Sequence, residues 1–151
     1  MSKISIRSPQ TDDEWLQYYT LRWQLLRAPW QQPSGSEKDS YEDDAIHRLA
    51  ISAKNVVAVG RAHFNDDDVA QLRYMAVLPE YRQQGIGSKL LTALEKSAFS
   101  DGAKTITLNA RENAVDFYQQ HGYQILQPAE TLFGCIKHFK MIKQFVKKQT
   151  N

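Results

Sequence analysis

The stretch Leu72-Arg73-Tyr74-Met75-Ala76-Val77-Leu78-Pro79-Glu80-Tyr81-Arg82-Gln83-Gln84-Gly85-Ile86-Gly87-Ser88-Lys89-Leu90-Leu91 decides the fold. Up to Pro79 it reads as a strand, with Leu72, Tyr74, Met75 and Val77 apolar or aromatic. After Gly87 it reads as a helix, because Leu90, Leu91, Leu94 and Ala98 recur at three- and four-residue spacing. Between them lies a short turn, Arg82-x-x-Gly85-x-Gly87. A strand that bends through glycines into a helix leaves backbone N–H groups unpaired at the positive end of the helix dipole. Such a bend suits a phosphate or diphosphate. Glycine lets ligand oxygens approach the backbone, and Arg82 adds a fixed positive charge. The alternative is that the glycines only make a tight turn.

Two common phosphate patterns fail here. The P-loop places Gly-Lys-Ser/Thr at its end, whereas Gly87 is followed by Ser88-Lys89. The dinucleotide fingerprint asks for a third glycine where Leu90 stands. The pattern that fits is Arg/Gln-x-x-Gly-x-Gly/Ala. From Met75 through Pro79 and Tyr81 to Leu91, the chain resembles the acetyl-CoA motif of the GNAT family of N-acetyltransferases. The resemblance implies an α/β fold: a mixed, largely antiparallel sheet flanked by helices, the acyl-CoA N-acyltransferase (GNAT) fold. It implies acetyl-CoA as co-substrate, contacted by Met75, Ala76, Val77, Arg82, Gln83, Gln84, Gly85, Ile86, Gly87 and Ser88.

A second stretch, Ala114-Val115-x-Phe117-Tyr118-x-x-x-Gly122-Tyr123, resembles the other signature of that family. Taken alone, Phe117 and Tyr118 read as core aromatics of a short helix that Gly122 ends. Beside the first motif, the resemblance places Tyr118 at the general acid and Phe117 by the cofactor. Many members carry an asparagine seven residues before that tyrosine, where this chain has Arg111; Asn109 and Asn113 stand close by as substitutes. The spacing here, with Arg22, His47 and Gly134-x-x-x-His138-x-x-Met141, is similar to the ElaA-like bacterial branch.

The remaining sequence sets bounds. The chain has 151 residues, which suits one domain over 1–151 with a core of its own. The apolar fraction of 42% and charged fraction of 24% are those of a globular protein. Nothing approaches the roughly 20 apolar residues of a membrane helix, and Met1-Ser2-Lys3-Ile4-Ser5-Ile6 lacks the apolar core of a signal peptide. A cytoplasmic location is the default expectation. The net charge of +2 gives no footing for nucleic acid. The lone cysteine, Cys135, rules out an intrachain disulfide and a cysteine-rich zinc site.

In order along the chain, Lys3 to Arg7 alternates as an edge strand. Thr11-Asp12-Asp13-Glu14 is a capping box, opening a helix that runs to about Arg27 before Pro29 and Pro33. Gln31 to Asp44 is an acidic loop, either a solvated surface or a border that attracts a cationic amine. Strands follow over Ile46–Ser52 and Val56–Phe64, with a turn at Asn65-Asp66-Asp67-Asp68 before Val69–Val77. The adjacent carboxylates are turn chemistry rather than a metal site. After the helix closed by Asp101-Gly102 come a strand at Thr105–Asn109, a helix at Ala114–His121 and a strand at Tyr123–Leu126. Pro128 to Gly134 is a loop, Cys135 to Phe145 a long last strand, and residues 146–151 a frayed tail.

The expected chemistry is acetyl transfer to a small amine or a peptide amino group, by direct attack. An alkylammonium of pKa about 10 must lose a proton before it attacks. The resemblance puts His47 and His138 near the acceptor as bases, with Glu42 or Asp44 acting through water as alternatives. His63 and His121 read as structural or exposed. Two other readings share the motif: a non-catalytic acyl-CoA sensor and a nucleotide-binding protein. Homodimerisation through the last strand is compatible with the sequence, which does not reveal the acceptor.

Overall fold

Seven strands form one mixed sheet: β1 (Ile4–Arg7), β2 (Ile46–Ser52), β3 (Asn55–Asp66), β4 (Val69–Val77), β5 (Thr105–Arg111), β6 (Gln124–Pro128) and β7 (His138–Gln144). Their spatial order is β1-β2-β3-β4-β5-β7-β6, and β4–β5 is the one parallel pair. The helices are α1 (Asp12–Leu26), α2 (Ile86–Ser100) and α3 (Val115–Gln120). This computed structural model describes residues 3–145, so the tail expected at 146–151 lies outside the described residues. Among the described residues no helix is long and apolar enough to cross a membrane.

Parallel neighbours need a crossover, and α2 provides it. Its stripe of Leu90, Leu91, Leu94 and Ala98 is fully buried in one core with Ile106, Leu108 and Met141. Truncating any of these leucines to alanine would cost about 2–5 kcal/mol. On the opposite face, Tyr18 and Leu21 of α1 pack on Leu49, Ile51 and Val59. That helix covers the β2–β4 half only, leaving the same face of β5 and β7 to the loop between β6 and β7.

The capping box forms by half. Thr11 Oγ1 accepts the Glu14 N–H at 3.1 Å, but Glu14 Oε1 accepts the N–H of Gln10 at 2.9 Å, not that of Thr11. The Arg7 guanidinium forks onto the same carboxylate at 2.6 and 2.9 Å and turns it toward β1. That fork, with the Gln10 N–H, holds the Glu14 carboxyl down at about 2.

Other boundaries also shift. Asn65 and Asp66 belong to β3, leaving Asp67-Asp68 as the turn; the Asp68 carbonyl then accepts the Lys104 and Thr105 amides. The last strand begins at His138 rather than Cys135, because Phe133 and Gly134 both take positive φ. Leu132 and Ile136 pair there in a small hairpin of their own.

Two features of β4 prepare the site. Its pairing with β5 covers only Val69–Leu72 against Thr105–Leu108; beyond Leu72 the two strands part. On its other side, Val59 faces Ala76 and Arg61 faces Arg73, so Gly60 alone is opposed by Tyr74 and Met75. Tyr74 takes φ of +60° in this bulge, a conformation that costs a side chain about 1–3 kcal/mol.

Candidate functional site

Beyond β4, a single-turn 3-10 helix over Pro79–Tyr81 leads into the glycine turn. Gln83 (φ +63°) and Gly85 (φ +78°) are both left-handed, and Gly85 caps α2 without a side-chain hydrogen bond. The first N–H of this segment to find an acceptor is that of Lys89, on the Gly85 carbonyl at 3.1 Å. Among the described residues the amides from Gln83 to Ser88 have none. These donors stand at the N-terminus of a 15-residue helix, where an anion is favoured. The exposed Arg82 donates through Nε to the Val77 carbonyl at 3.1 Å, which tethers its charge to the end of β4. Gln84 donates instead to the Glu80 carbonyl.

Helix α3 stands beside this turn. Phe117 faces Gly87, where a Cβ would lie 3.5 Å from its ring. Ser88 Oγ and His121 Nε2 are 2.9 Å apart, linking the start of α2 to the end of α3. Phe117 is therefore next to the turn of unpaired amides, whereas the exposed Asn113 sits in the 3-10 turn before α3.

Where β4 and β5 part there is a cleft of about 530 Å³, lined by Arg73, Tyr74 and Met75 on one side and Leu108 to Arg111 on the other. Among the described residues the backbone of β4 from Arg73 to Val77 has no partner strand along this opening. Such an edge accepts an extended amide-bearing chain as an added strand. Tyr118 closes the cleft from the α3 side and is 8% exposed. Its ring meets Phe117 and Tyr123 edge-on, and among the described residues its hydroxyl has no hydrogen-bond partner. Burial pushes the phenol well above its ordinary range, so it stays protonated. Asn109 lines the cleft and Asn113 does not.

The two histidines diverge. His138 lines the cleft, its Nδ1 donating to the Ile136 carbonyl at 2.9 Å while Nε2 has no partner among the described residues. His47 is buried away from the cleft, with Tyr18 Oη 2.9 Å from Nδ1 and the Glu42 carbonyl 2.7 Å from Nε2. Since a carbonyl only accepts, Nε2 carries the proton, and neither ring nitrogen is left for a substrate. Burial keeps His47 below the usual imidazole range.

Part of the acidic loop turns inward, through Glu37, Asp39 and Glu42, while Asp43 and Asp44 stay exposed. Glu42 bridges two arginines that have no exposure, Arg22 at 2.9 Å and Arg61 at 2.6 Å. Asp39 pairs with Arg61 at 2.7 Å and Arg73 at 3.1 Å. Burial opposes the charge of Asp39, but the Arg61 guanidinium and the Tyr41 N–H outweigh it and hold the carboxyl below its usual range. Glu37 is buried and accepts the Gly35 N–H. The guanidinium groups of Arg22, Arg61 and Arg73 all stand over the Tyr74 ring, at 4.4, 4.9 and 4.6 Å. The network thus supports the bulge from beneath. Its only trace in the sequence is a charge at inward positions, Arg22 one turn from Tyr18 and Arg61 amid the small residues of β3.

Among the described residues no group of three or more histidines, cysteines or carboxylates could hold a metal ion. Cys135 is exposed and free.

Comparison with known proteins agrees with this geometry. Residues 15–123 match the acetyltransferase (GNAT) family. Over 111 residues the chain is 35% identical to an uncharacterized N-acetyltransferase, YjcF, of Bacillus subtilis (strain 168), covering 74% of this chain and 79% of that protein. The fold superposes on a GNAT family acetyltransferase from Elizabethkingia anophelis with acetyl-CoA bound, at a TM-score of 0.77 and 18% identity, covering 94% of this chain and 98% of the other. It also superposes on Escherichia coli ElaA, at 0.74 and 18% identity, covering 95% of this chain and 100% of that one. A strand that parts from its parallel neighbour, a glycine turn of unpaired amides and a match over most of the sequence lead to one assignment: this chain is an acyltransferase and belongs to the GNAT family of acetyltransferases.

Proposed function

We propose that this protein moves the acetyl group of acetyl-CoA to a primary amine by direct attack, with Tyr118 as general acid. The observation that carries the reading is the continuity of three parts. The acceptor-free amides of Gln83–Ser88 adjoin the open edge Arg73–Val77, and Tyr118 lines the cleft that edge borders. The amides take the diphosphate, and the β4 edge takes the amides of pantetheine. An N–H near Met75 to Val77 faces the oxygen that gains charge as the carbonyl is attacked.

The amine nitrogen bonds to the thioester carbon, the carbon–sulfur bond breaks, and the thiolate takes the Tyr118 proton. Burial keeps this phenol, of ordinary pKa about 10, protonated and so available to hydrogen-bond and protonate the leaving thiolate, although the same shift makes it a weaker acid than a thiol near about 8.5. The proton shed by the amine passes to His138 Nε2 or to water, since His47 has no free nitrogen.

Gly87→Glu tests the cofactor half by calorimetric titration with CoA. A Cβ at this position meets Phe117 at ordinary contact distance, 3.5 Å, so the variant should fold. The carboxylate placed among the diphosphate donors should abolish binding. A folded variant that keeps its CoA affinity refutes the site.

A further inference from the structure

The charges around the cleft specify the acceptor more narrowly, an inference that rests on the acetyl-transfer reading above. Opposed residues in an antiparallel pair share a face. Asn109 faces Lys140 and Arg111 faces His138, while Leu108 and Ala110 turn into the core on the α2 side. Arg111, His138 and Lys140 therefore stand on the face that carries α1, opposite the N-terminus of α2 and its diphosphate donors. Arg27 from the end of α1 and Arg73 from β4 reach the same cleft. Among the described residues four cations line it, Arg27, Arg73, Arg111 and Lys140, with Glu130 as the lone carboxylate.

Two of the four are engaged: Arg73 with Asp39, and Arg27 with Ser36 Oγ at 3.2 Å and the Phe133 ring. Arg111 and Lys140 have no ion pair or hydrogen bond among the described residues, although both are half-buried. A partly desolvated guanidinium without a partner is costly, and the group that would satisfy it is planar and anionic. The remaining wall is apolar, with Leu26, Leu132 and Phe133, the last stacked on Trp30 at 5.9 Å. The acidic loop contributes no carboxylate to the cleft lining, and Asp39 and Glu42 are already taken up by Arg22, Arg61 and Arg73.

We infer that the acceptor is an amine that also bears a carboxylate and an apolar group, an amino acid rather than a polyamine or amino sugar. Arg111, aided by Lys140, holds the carboxylate and sets specificity, and Leu132 and Phe133 receive the apolar group. The attacking nitrogen is then directed toward the β4–β5 opening.

The test is acetyl-CoA consumption by matched pairs: phenylalanine against phenethylamine, leucine against isoamylamine, with spermidine as the cationic arm. The expected kcat/KM is at least about tenfold higher for each amino acid than for its decarboxylated partner. Arg111→Gln should remove that preference by raising KM for the amino acid at least about tenfold more than KM for its decarboxylated partner, and Arg111→Lys should restore part of it. Faster turnover of spermidine or the decarboxylated amines overturns the inference, as does an Arg111→Gln loss shared equally by both partners. If no amine in the panel turns over, N-acetylphenylalanine is titrated into CoA-saturated protein. Binding that Arg111→Gln abolishes supports the inference, and no binding overturns it. Failure of the protein to bind CoA at all is a different result, and it sinks the acetyl-transfer reading itself.

Discussion

Replacing Tyr118 with phenylalanine removes one oxygen from the cleft and leaves the rest in place. The ring keeps its edge-on contacts with Phe117 and Tyr123, and no protein group loses a hydrogen bond. The folded state should therefore change by no more than about 0.5 kcal/mol, unlike a variant that orphans a buried partner. Loss of a positioned acid costs about 10²–10⁴ in rate. A hundredfold fall in kcat corresponds to about 2.7 kcal/mol in the barrier. The oxygen is wanted only as the thiolate departs, so KM for acetyl-CoA should hold while kcat and kcat/KM fall together. Because burial keeps the phenol protonated, the wild-type rate should show no alkaline loss from Tyr118 up to about pH 10. Steady-state kinetics with thiol detection, beside urea denaturation, reads both effects. A folded Tyr118→Phe variant with kcat within threefold of wild type refutes the role of acid.

Three further outcomes follow from the packing. Gly60→Ala would set a Cβ 2.6 Å from Met75 Sδ and 2.8 Å from Leu94 Cδ1, costing about 1–3 kcal/mol and raising KM for acetyl-CoA through Met75; an unchanged melting temperature contradicts this. Glu42→Ala strips a shared carboxylate from Arg22 and Arg61, which keep the Tyr18 and Glu37 oxygens, and Asp39 with His63 Nδ1, respectively; about 3 kcal/mol should be lost, and a loss under 1 kcal/mol by denaturation would show the network to be dispensable. Burial holds His47 and His63 below the usual imidazole range, so the unfolded chain binds more protons than the folded one below about pH 6.5. Stability should thus decline from pH 7.5 to 5.5 as the unfolded imidazoles charge, and a denaturation midpoint flat across that window would contradict it.

How much of this was legible beforehand depended on how local its cause was. The bend from Val77 to Gly87 could be read because strand periodicity, glycine and helix periodicity meet within one stretch of chain. The stop at Gly102, at φ of +109°, follows from its own backbone freedom. Other features depend on distant partners. Glu14 fails to close its capping box because Arg7 claims it, and that contact exists only once β1 lies beside α1. Arg22 and Arg61 carry charges that ordinarily point to water; only the fold brings Asp39 and Glu42 back over them. Two carboxylates of the acidic loop, Asp39 and Glu42, accordingly become the counter-charge of arginines, while Asp43 and Asp44 stay on the surface. His47 sits in a strand like His138, and nothing near it in sequence shows that Tyr18 occupies one nitrogen. The Tyr74 bulge has no compositional mark, since it is the shorter count of residues on β3 that forces it.

The most direct measurement is a crystal structure at saturating acetyl-CoA. The diphosphate should lie on the amides of Gln83–Ser88, the pantetheine amides should pair with β4 between Arg73 and Val77, and the sulfur should be within hydrogen-bond reach of the Tyr118 hydroxyl. A cofactor lodged elsewhere, or an empty turn at saturation, would contradict this placement.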